Sequence, residues 1–415
     1  MQISHRLPAR QAGLDAGRAG RHNRPVSPLP PDFTVLQVVP ALETGGVEQT
    51  TLDVAGAVVK AGGRAIVASA GGRLEADLIA RGAETVRLPL DSKNPLVVVA
   101  NAGRLEALIR REKVSLVHVR SRAPAFSAIR AARRVGVPVV TTYHGVYNAK
   151  SALKRWYNGV MTRGDLTIAN SEFTRDHLIA QHRVEPAQVV AIPRGVDLAR
   201  FDPEAVSADR LVRLRMAWGI APGETRLILL LAGRLTRWKG QALLIDALAK
   251  LKAETGRDDI LLILAGDDQG RADYREALER AIVGHGLGDA VRLVGHVSDM
   301  PAAYRLADVA AAPSLDPEAF GRTAVEPQAM GRPVLAADHG AVRETVVDGE
   351  TGWRVAPRDV DAWAAALKGL TDAGPERLAA MGEAGRARVR ALYSVEEMAE
   401  RTLDVYRRVL AEREI

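Results

Sequence analysis

The chain has 415 residues, more than one hydrophobic core ordinarily serves, so two domains are expected. Its 47% hydrophobic content with only 4% aromatic residues argues against base-stacking platforms for nucleic acid, and a net charge of +7 favours anionic partners. With no cysteine, thiolate chemistry and disulfides are excluded, which fits a cytoplasmic protein.

Residues 1–32 hold five arginines, two histidines and the run Arg24-Pro-Val-Ser-Pro-Leu-Pro-Pro31. That composition predicts a disordered basic arm, and it lacks the continuous apolar stretch of a signal peptide. From Phe33 the pattern alternates between strand and helix. Strands are expected at Thr34–Val39, Arg64–Ser69, Thr85–Leu88, Leu116–Arg120, Pro138–Tyr143, Leu166–Ala169 and Val189–Ile192, with a helix from about Gly46 to Lys60 after the first. A second series is expected at Arg226–Ala232, Ile260–Ala265, Val291–Val294, Val309–Ala312, Val334–Ala336 and Trp353–Val355. Such alternation predicts an α/β protein of two doubly wound, Rossmann-like domains with parallel sheets, residues 33–196 and 197–390, facing a central cleft with a hinge near Pro193–Pro203. Val395–Glu412 has helical spacing, and the segment 391–415 is expected to pack back on the interface. No apolar run reaches the roughly 18–20 residues that span a bilayer.

Four segments carry chemistry. Glu318 and Glu326 flank a glycine turn, Glu318-Ala-Phe-Gly-Arg-Thr-Ala-Val-Glu326, between a strand end and a helix start, the usual place for a ligand in an open α/β sheet. Pro327, directly after, is expected to kink or restart that helix. Gly233-Arg234-Leu-Thr-Arg-Trp-Lys239 follows an all-apolar strand, so the backbone at Gly233 comes close to a ligand while two cations suit a diphosphate. Thr44-Gly45-Gly46 precedes a helix and allows backbone amides to face a phosphate, yet it is not a GxGxxG fingerprint, which counts against a nicotinamide dehydrogenase. His144-Gly145 lies just past a strand end. No His/Cys cluster or HExxH is present, so no metal is expected.

Taken together, Gly45-Gly46, His144, Gly233-Arg234 with Lys239, Ile192-Pro-Arg-Gly-Val-Asp197 and the Glu318/Glu326 pair resemble the motifs of the retaining family 4 glycosyltransferases, which have the two-domain GT-B fold. The resemblance covers about residues 33–390. It implies that Arg234 and Lys239 neutralise the diphosphate of a nucleoside-diphosphate sugar, that Glu326 holds the ribose, and that Glu318 holds the transferred sugar with backbone contacts from Phe320 and Gly321. It further implies that Gly45 and Gly46 approach the phosphates and that His144 sits on the anomeric side. Arg194 departs from the pattern, which frequently has Asn there, and His339-Gly340-Ala341 stands where a Gly-Gly pair is common. Neither a cofactor nor a metal is implied. The implied acceptor is a lipid-linked or lipopolysaccharide-type glycan, met at the inner face of the cytoplasmic membrane.

Lys150, Lys154, Arg155, Trp156, Tyr157 and Arg163 fit an anionic membrane surface, their basic and aromatic residues side by side. The alternatives are a nucleotide-sugar epimerase or glycogen-type synthase on the same fold, or a non-catalytic protein binding an anionic glycan or nucleic acid.

Overall fold

Leu227–Ala232, Leu-Ile-Leu-Leu-Leu-Ala, is apolar at every position, and a strand of that kind is stable only where helices cover both faces of its sheet. The computed structural model, which describes residues 29–43, 45–147 and 151–413, puts this strand third in a parallel sheet of six. In chain order the strands of a seven-stranded sheet come first: β1 (Thr34–Val38), β2 (Arg64–Ser69), β3 (Glu84–Arg87), β4 (Leu116–Val119), β5 (Val139–Tyr143), β6 (Leu166–Ala169) and β7 (Val189–Ala191). Those of the six-stranded sheet are β8 (Leu227–Ala232), β9 (Ile260–Ala265), β10 (Val291–Gly295), β11 (Val309–Ala312), β12 (Val334–Ala337) and β13 (Gly352–Val355). The spatial orders are β3-β2-β1-β4-β5-β6-β7 and β10-β9-β8-β11-β12-β13. Each strand order reverses direction beside its first strand, so both sheets are doubly wound, as the sequence predicted.

Two compact units result. One is built from the chain up to Val119, Ala123–Val140 and the segment from Arg390 onward; the other comprises Arg120–Arg122 and Thr141–Val389. The sheets change over between β7 and β8, near the expected boundary at residues 196 and 197, whereas the units part earlier. Part of the reason is visible in hydrogen bonds: Ser171 and Thr174 donate to the Ala319 carbonyl at 2.6 and 3.2 Å, and the Glu344 carboxylate accepts from the backbone N–H groups of Glu172 and Phe173 at 2.9 and 2.7 Å.

In the first unit the C-terminal helix Val395–Ala411 packs against helix Gly46–Lys60. Tyr406 anchors it: the hydroxyl meets His118 Nδ1 at 2.6 Å, and the ring lies 6.0 Å from Phe33. In the second unit Leu229, Leu231, Leu262, Leu264, Leu335, Trp363 and Leu367 share one core with helix Gln241–Thr255. Burying a side chain of this size contributes about 1.5–3 kcal/mol, so a few such residues hold the loop ends of the sheet in place.

Helix Arg322–Ala329 runs through Pro327 as one element, without the expected restart. Proline there gives up the N–H that would bond the Thr323 carbonyl, and the helix ends two residues later. The basic arm expected over residues 1–32 lies outside the described residues as far as residue 28, as do Thr44 and Lys150.

Candidate functional site

The site is assembled at the carboxyl ends of β8 and β11. After β8 the backbone continues its ladder through Gly233 N–H to the Ala265 carbonyl at 2.8 Å, then turns out as Arg234–Gly240. Gln241 Nε2 donates to the Arg234 carbonyl at 3.0 Å and so fixes the root of that turn; Tyr274 in turn donates to Gln241 Oε1 at 3.3 Å. The turn ends at Gly240, with φ 79° and no room for a side chain: a Cβ there would lie 2.2 Å from the Pro313 carbonyl oxygen. Glycine at this position brings the β8 loop directly against the end of β11.

That approach joins the two motifs. Lys239 Nζ lies 2.5 Å from Glu318 Oε1, and Ser314 Oγ donates to the same oxygen at 2.6 Å. Both members of the ion pair are only 12% exposed. Lys239 also rests 4.3 Å from the centre of the Trp238 ring, and its aliphatic chain packs 3.5 Å from where a Gly233 Cβ would stand. Glu318 is held through its backbone as well, its carbonyl accepting from Ala341 N–H at 3.0 Å. Gly340, with φ 61°, makes this close contact; a Cβ on it would fall 2.7 Å from the Glu318 oxygen. The His339-Gly340-Ala341 departure noted in the sequence therefore keeps the one glycine that the contact requires.

Beyond Glu318, Phe320 is buried, and Gly321, with φ 80°, opens helix Arg322–Ala329. Glu326 is buried on that helix one turn after Arg322, whose Nε donates to it at 2.8 Å. The hydroxyl of fully buried Tyr304 bonds to Glu326 too, and burial followed by the neighbouring carboxylate pushes the phenol well above its ordinary range. Arg234 stands apart from this cluster. It is exposed, and its recorded partner is Gln269 Oε1 at 3.5 Å.

His144 follows β5. Its backbone carbonyl accepts from Asn170 Nδ2 at 3.1 Å, and its Nδ1 lies 3.2 Å from Arg194 Nη2. Burial first, then the Arg194 and Arg120 guanidinium groups, push the imidazole well below the usual histidine range. Its neighbour Gly145 faces Ala319, 3.9 Å from a Cβ position to the Ala319 Cβ. Gly45 and Gly46 belong to the other unit, where Gly45 caps helix Gly46–Lys60 and the Gln49 N–H bonds its carbonyl at 3.1 Å.

Residues 44–200 match the family described as Glycosyltransferase Family 4, and residues 215–388 match glycosyl transferases group 1. The GDP-mannose-dependent alpha-(1-6)-phosphatidylinositol monomannoside mannosyltransferase of Mycolicibacterium smegmatis is 32% identical to this chain over 321 residues, covering 74% of this chain and 79% of the relative. The chain belongs to the family 4 GT-B glycosyltransferases. A crystal structure of a Rickettsia africae glycosyltransferase is 32% identical and superposes with a TM-score of 0.84, covering 92% of this chain and 99% of that one. The D-inositol 3-phosphate glycosyltransferase of Kineococcus radiotolerans is 35% identical over 267 residues, 61% of this chain; the match spans 59% of that relative. Anabaena HepE, solved with UDP and glucose, shares the fold at 22% identity and a TM-score of 0.77, covering 90% of this chain and 99% of its own.

Sequence reasoning on this family member passed over four side chains that the site uses. Ser314 and Tyr304 each bond a motif glutamate, Arg322 pairs with Glu326, and Arg194 reaches His144. Arg194 and Arg322 lay within quoted segments; Tyr304 carried no signal, because an apolar-periodic helix gives no hint of which carboxylate lies beneath it.

Proposed function

We propose that this protein is a retaining glycosyltransferase that moves a sugar from a nucleoside-diphosphate sugar to a phosphorylated or lipid-linked alcohol. The observation that carries the reading is the Lys239–Glu318 pair, which joins a diphosphate-type cation to a sugar-type carboxylate between two adjacent strand ends. Support for the donor comes from the Mycolicibacterium relative, whose name specifies GDP-mannose, and from Anabaena HepE in complex with UDP and glucose.

In this reading Lys239 and Arg234 hold the diphosphate, and the start of helix Arg322–Ala329 adds its free N–H groups. Gly233 lets the backbone come close, and Gly45 and Gly46 are the glycines that the family resemblance assigns to the phosphates. Glu326 takes the ribose; Glu318 takes hydroxyls of the transferred sugar, with Phe320 and Gly321 offering backbone contacts. As the bond between the anomeric carbon and the phosphate oxygen breaks, the two cations stabilise the leaving diphosphate. The acceptor hydroxyl then forms its bond on the same face, and its proton passes to the departing phosphate oxygen. Glu318 orients the ring and forms no covalent bond to it. The cations make added metal unnecessary, so turnover should survive EDTA.

The Kineococcus and Mycolicibacterium relatives carry an inositol phosphate and a phosphatidylinositol mannoside in their names, and neither names a lipopolysaccharide. We therefore place the acceptor in the wider class of phosphate-bearing or lipid-linked alcohols, reached at the inner membrane face. Thermal-shift screening against UDP, GDP, ADP and TDP tests the donor: a nucleotide at 100 times its dissociation constant stabilises the fold by about 2.7 kcal/mol. No shift with any of the four overturns the reading, and so does a product of inverted anomeric configuration with the donor that does bind.

A further inference from the structure

The bond between Arg194 and His144 has only one permissible direction. A guanidinium carries five N–H donors and no acceptor and stays charged at any ordinary pH. With Arg194 Nη2 at 3.2 Å, His144 Nδ1 must therefore supply its lone pair, and the single proton of the neutral ring belongs to Nε2. That Nε2 is buried and has no hydrogen-bond partner among the described residues, while Asn170 holds the backbone of the same residue. An asparagine at position 194 has both a donor and an acceptor and would leave the ring free to take either tautomer.

We propose that Arg194 is a positioning residue for His144: it fixes the neutral tautomer with hydrogen on Nε2, making His144 a hydrogen-bond donor to a hydroxyl of the transferred sugar and not the base that receives the acceptor's proton. The second half of this proposal rests on the glycosyltransferase reading; the tautomer does not. The groups facing the ring agree in sign. Arg194 and Arg120 both oppose a positive imidazole, and Tyr147 meets the His144 backbone, so no carboxylate among them favours protonation.

The test is nitrogen NMR of the full chain labelled at histidine, with the His144 signal assigned by its loss in His144→Gln. Expected for the wild type is hydrogen on Nε2, a bare Nδ1, and no titration between about pH 8 and the ordinary histidine value of about 6.5. Arg194→Gln should yield a mixture of tautomers and bring the titration back toward that ordinary value. Arg194→Lys, which keeps a donor and adds no acceptor, should restore the single tautomer. With the donor sugar identified by the thermal-shift screen, Arg194→Gln should lower kcat about tenfold with KM for the donor little changed, and Arg194→Lys should recover most of it. A wild-type His144 with hydrogen on Nδ1, or an Arg194→Gln variant with unaltered tautomer and titration, overturns the proposal whatever the turnover. The expected NMR result in a protein that transfers no sugar would leave the tautomer standing and remove its proposed use, so the two failures are separable.

Discussion

Lys239 Nζ sits 2.5 Å from Glu318 Oε1, so the cation proposed for the diphosphate and the carboxylate proposed for the sugar neutralise each other before any donor arrives. Binding must therefore redirect Lys239 toward phosphate. Lys239→Ala should weaken free nucleoside diphosphate by about 1.5–3 kcal/mol, the value of a charge-assisted bond. Glu318→Ala releases the same lysine and should spare or tighten that ligand, while turnover of the sugar donor falls roughly 10–1000-fold. Calorimetric titration of the two single variants and the double variant completes a cycle whose coupling should exceed about 0.5 kcal/mol. Additive effects would show that the two side chains act independently.

Glu326 has a different set of partners, and its loss should read differently. Removing it takes a bond from Arg322 and leaves the buried Tyr304 hydroxyl without a carboxylate, so Glu326→Ala should lower stability as well as weaken both the free diphosphate and the intact donor. Tyr304→Phe should cost about 0.5–1.5 kcal/mol in chemical denaturation, the usual net worth of one hydrogen bond, and leave Glu326 free to shift. Glu326→Ala that spares the free diphosphate would remove the ribose assignment.

Three histidines of the second unit, His144, His177 and His182, are held below the ordinary range chiefly by burial. Below about pH 6.5 the unfolded chain binds protons at these positions that the folded chain refuses, so stability should fall as pH drops through that point. Glu344 works the other way: burial raises its pKa, so its share of stability is full at low pH and declines as pH rises through its folded value. Melting temperatures between pH 8 and 5.5 should therefore decline on acidification, with a shallower slope in His177→Gln and a steeper one in Glu344→Gln. Identical slopes in all three proteins would contradict this assignment.

The expected membrane contact centres on helix Ala152–Asn158, where Leu153 and Trp156 are 73% and 54% exposed beside Lys154 and Arg155. The Arg122 guanidinium stacks 3.7 Å from the centre of the Tyr147 ring, and Arg163 lies 5.8 Å from that of Trp156, so aromatic and cationic groups share this surface. Replacing Lys150, Lys154 and Arg155 by Ser should weaken co-sedimentation with anionic vesicles by about 1 kcal/mol per charge and leave nucleotide binding alone. Equal sedimentation of wild type and variant would return this stretch to an ordinary solvated surface.

Every strand of both sheets was legible before the fold was known, because runs such as Ile260–Ala265 are apolar throughout and glycines punctuate their ends. Boundaries moved by a residue or so, as at β3, where Glu84 pairs with Ile66 although its side chain is exposed. The motif residues were picked out by their spacing together with a resemblance to a known family. Their partners were not: Lys239 and Glu318 are 79 positions apart, and nothing in either segment says that a glycine seated on Pro313 will bring them together. Pro327 misled differently: it signals a break, yet the helix runs on through it to Ala329.

The carboxylate of Glu344 occupies the first-turn amides of helix Glu172–His182, whose side-chain cap Ser171 is bonded to Thr174 N–H at 3.0 Å. A helix start is attractive to any anion, including ligands that belong elsewhere. By filling this one with an acid of its own, the protein leaves no vacant dipole there to draw a phosphate away from the site proposed at Lys239 and Arg234. Glu344→Gln would keep the shape of that plug and remove its charge, turning a closed position into a competing one for the diphosphate.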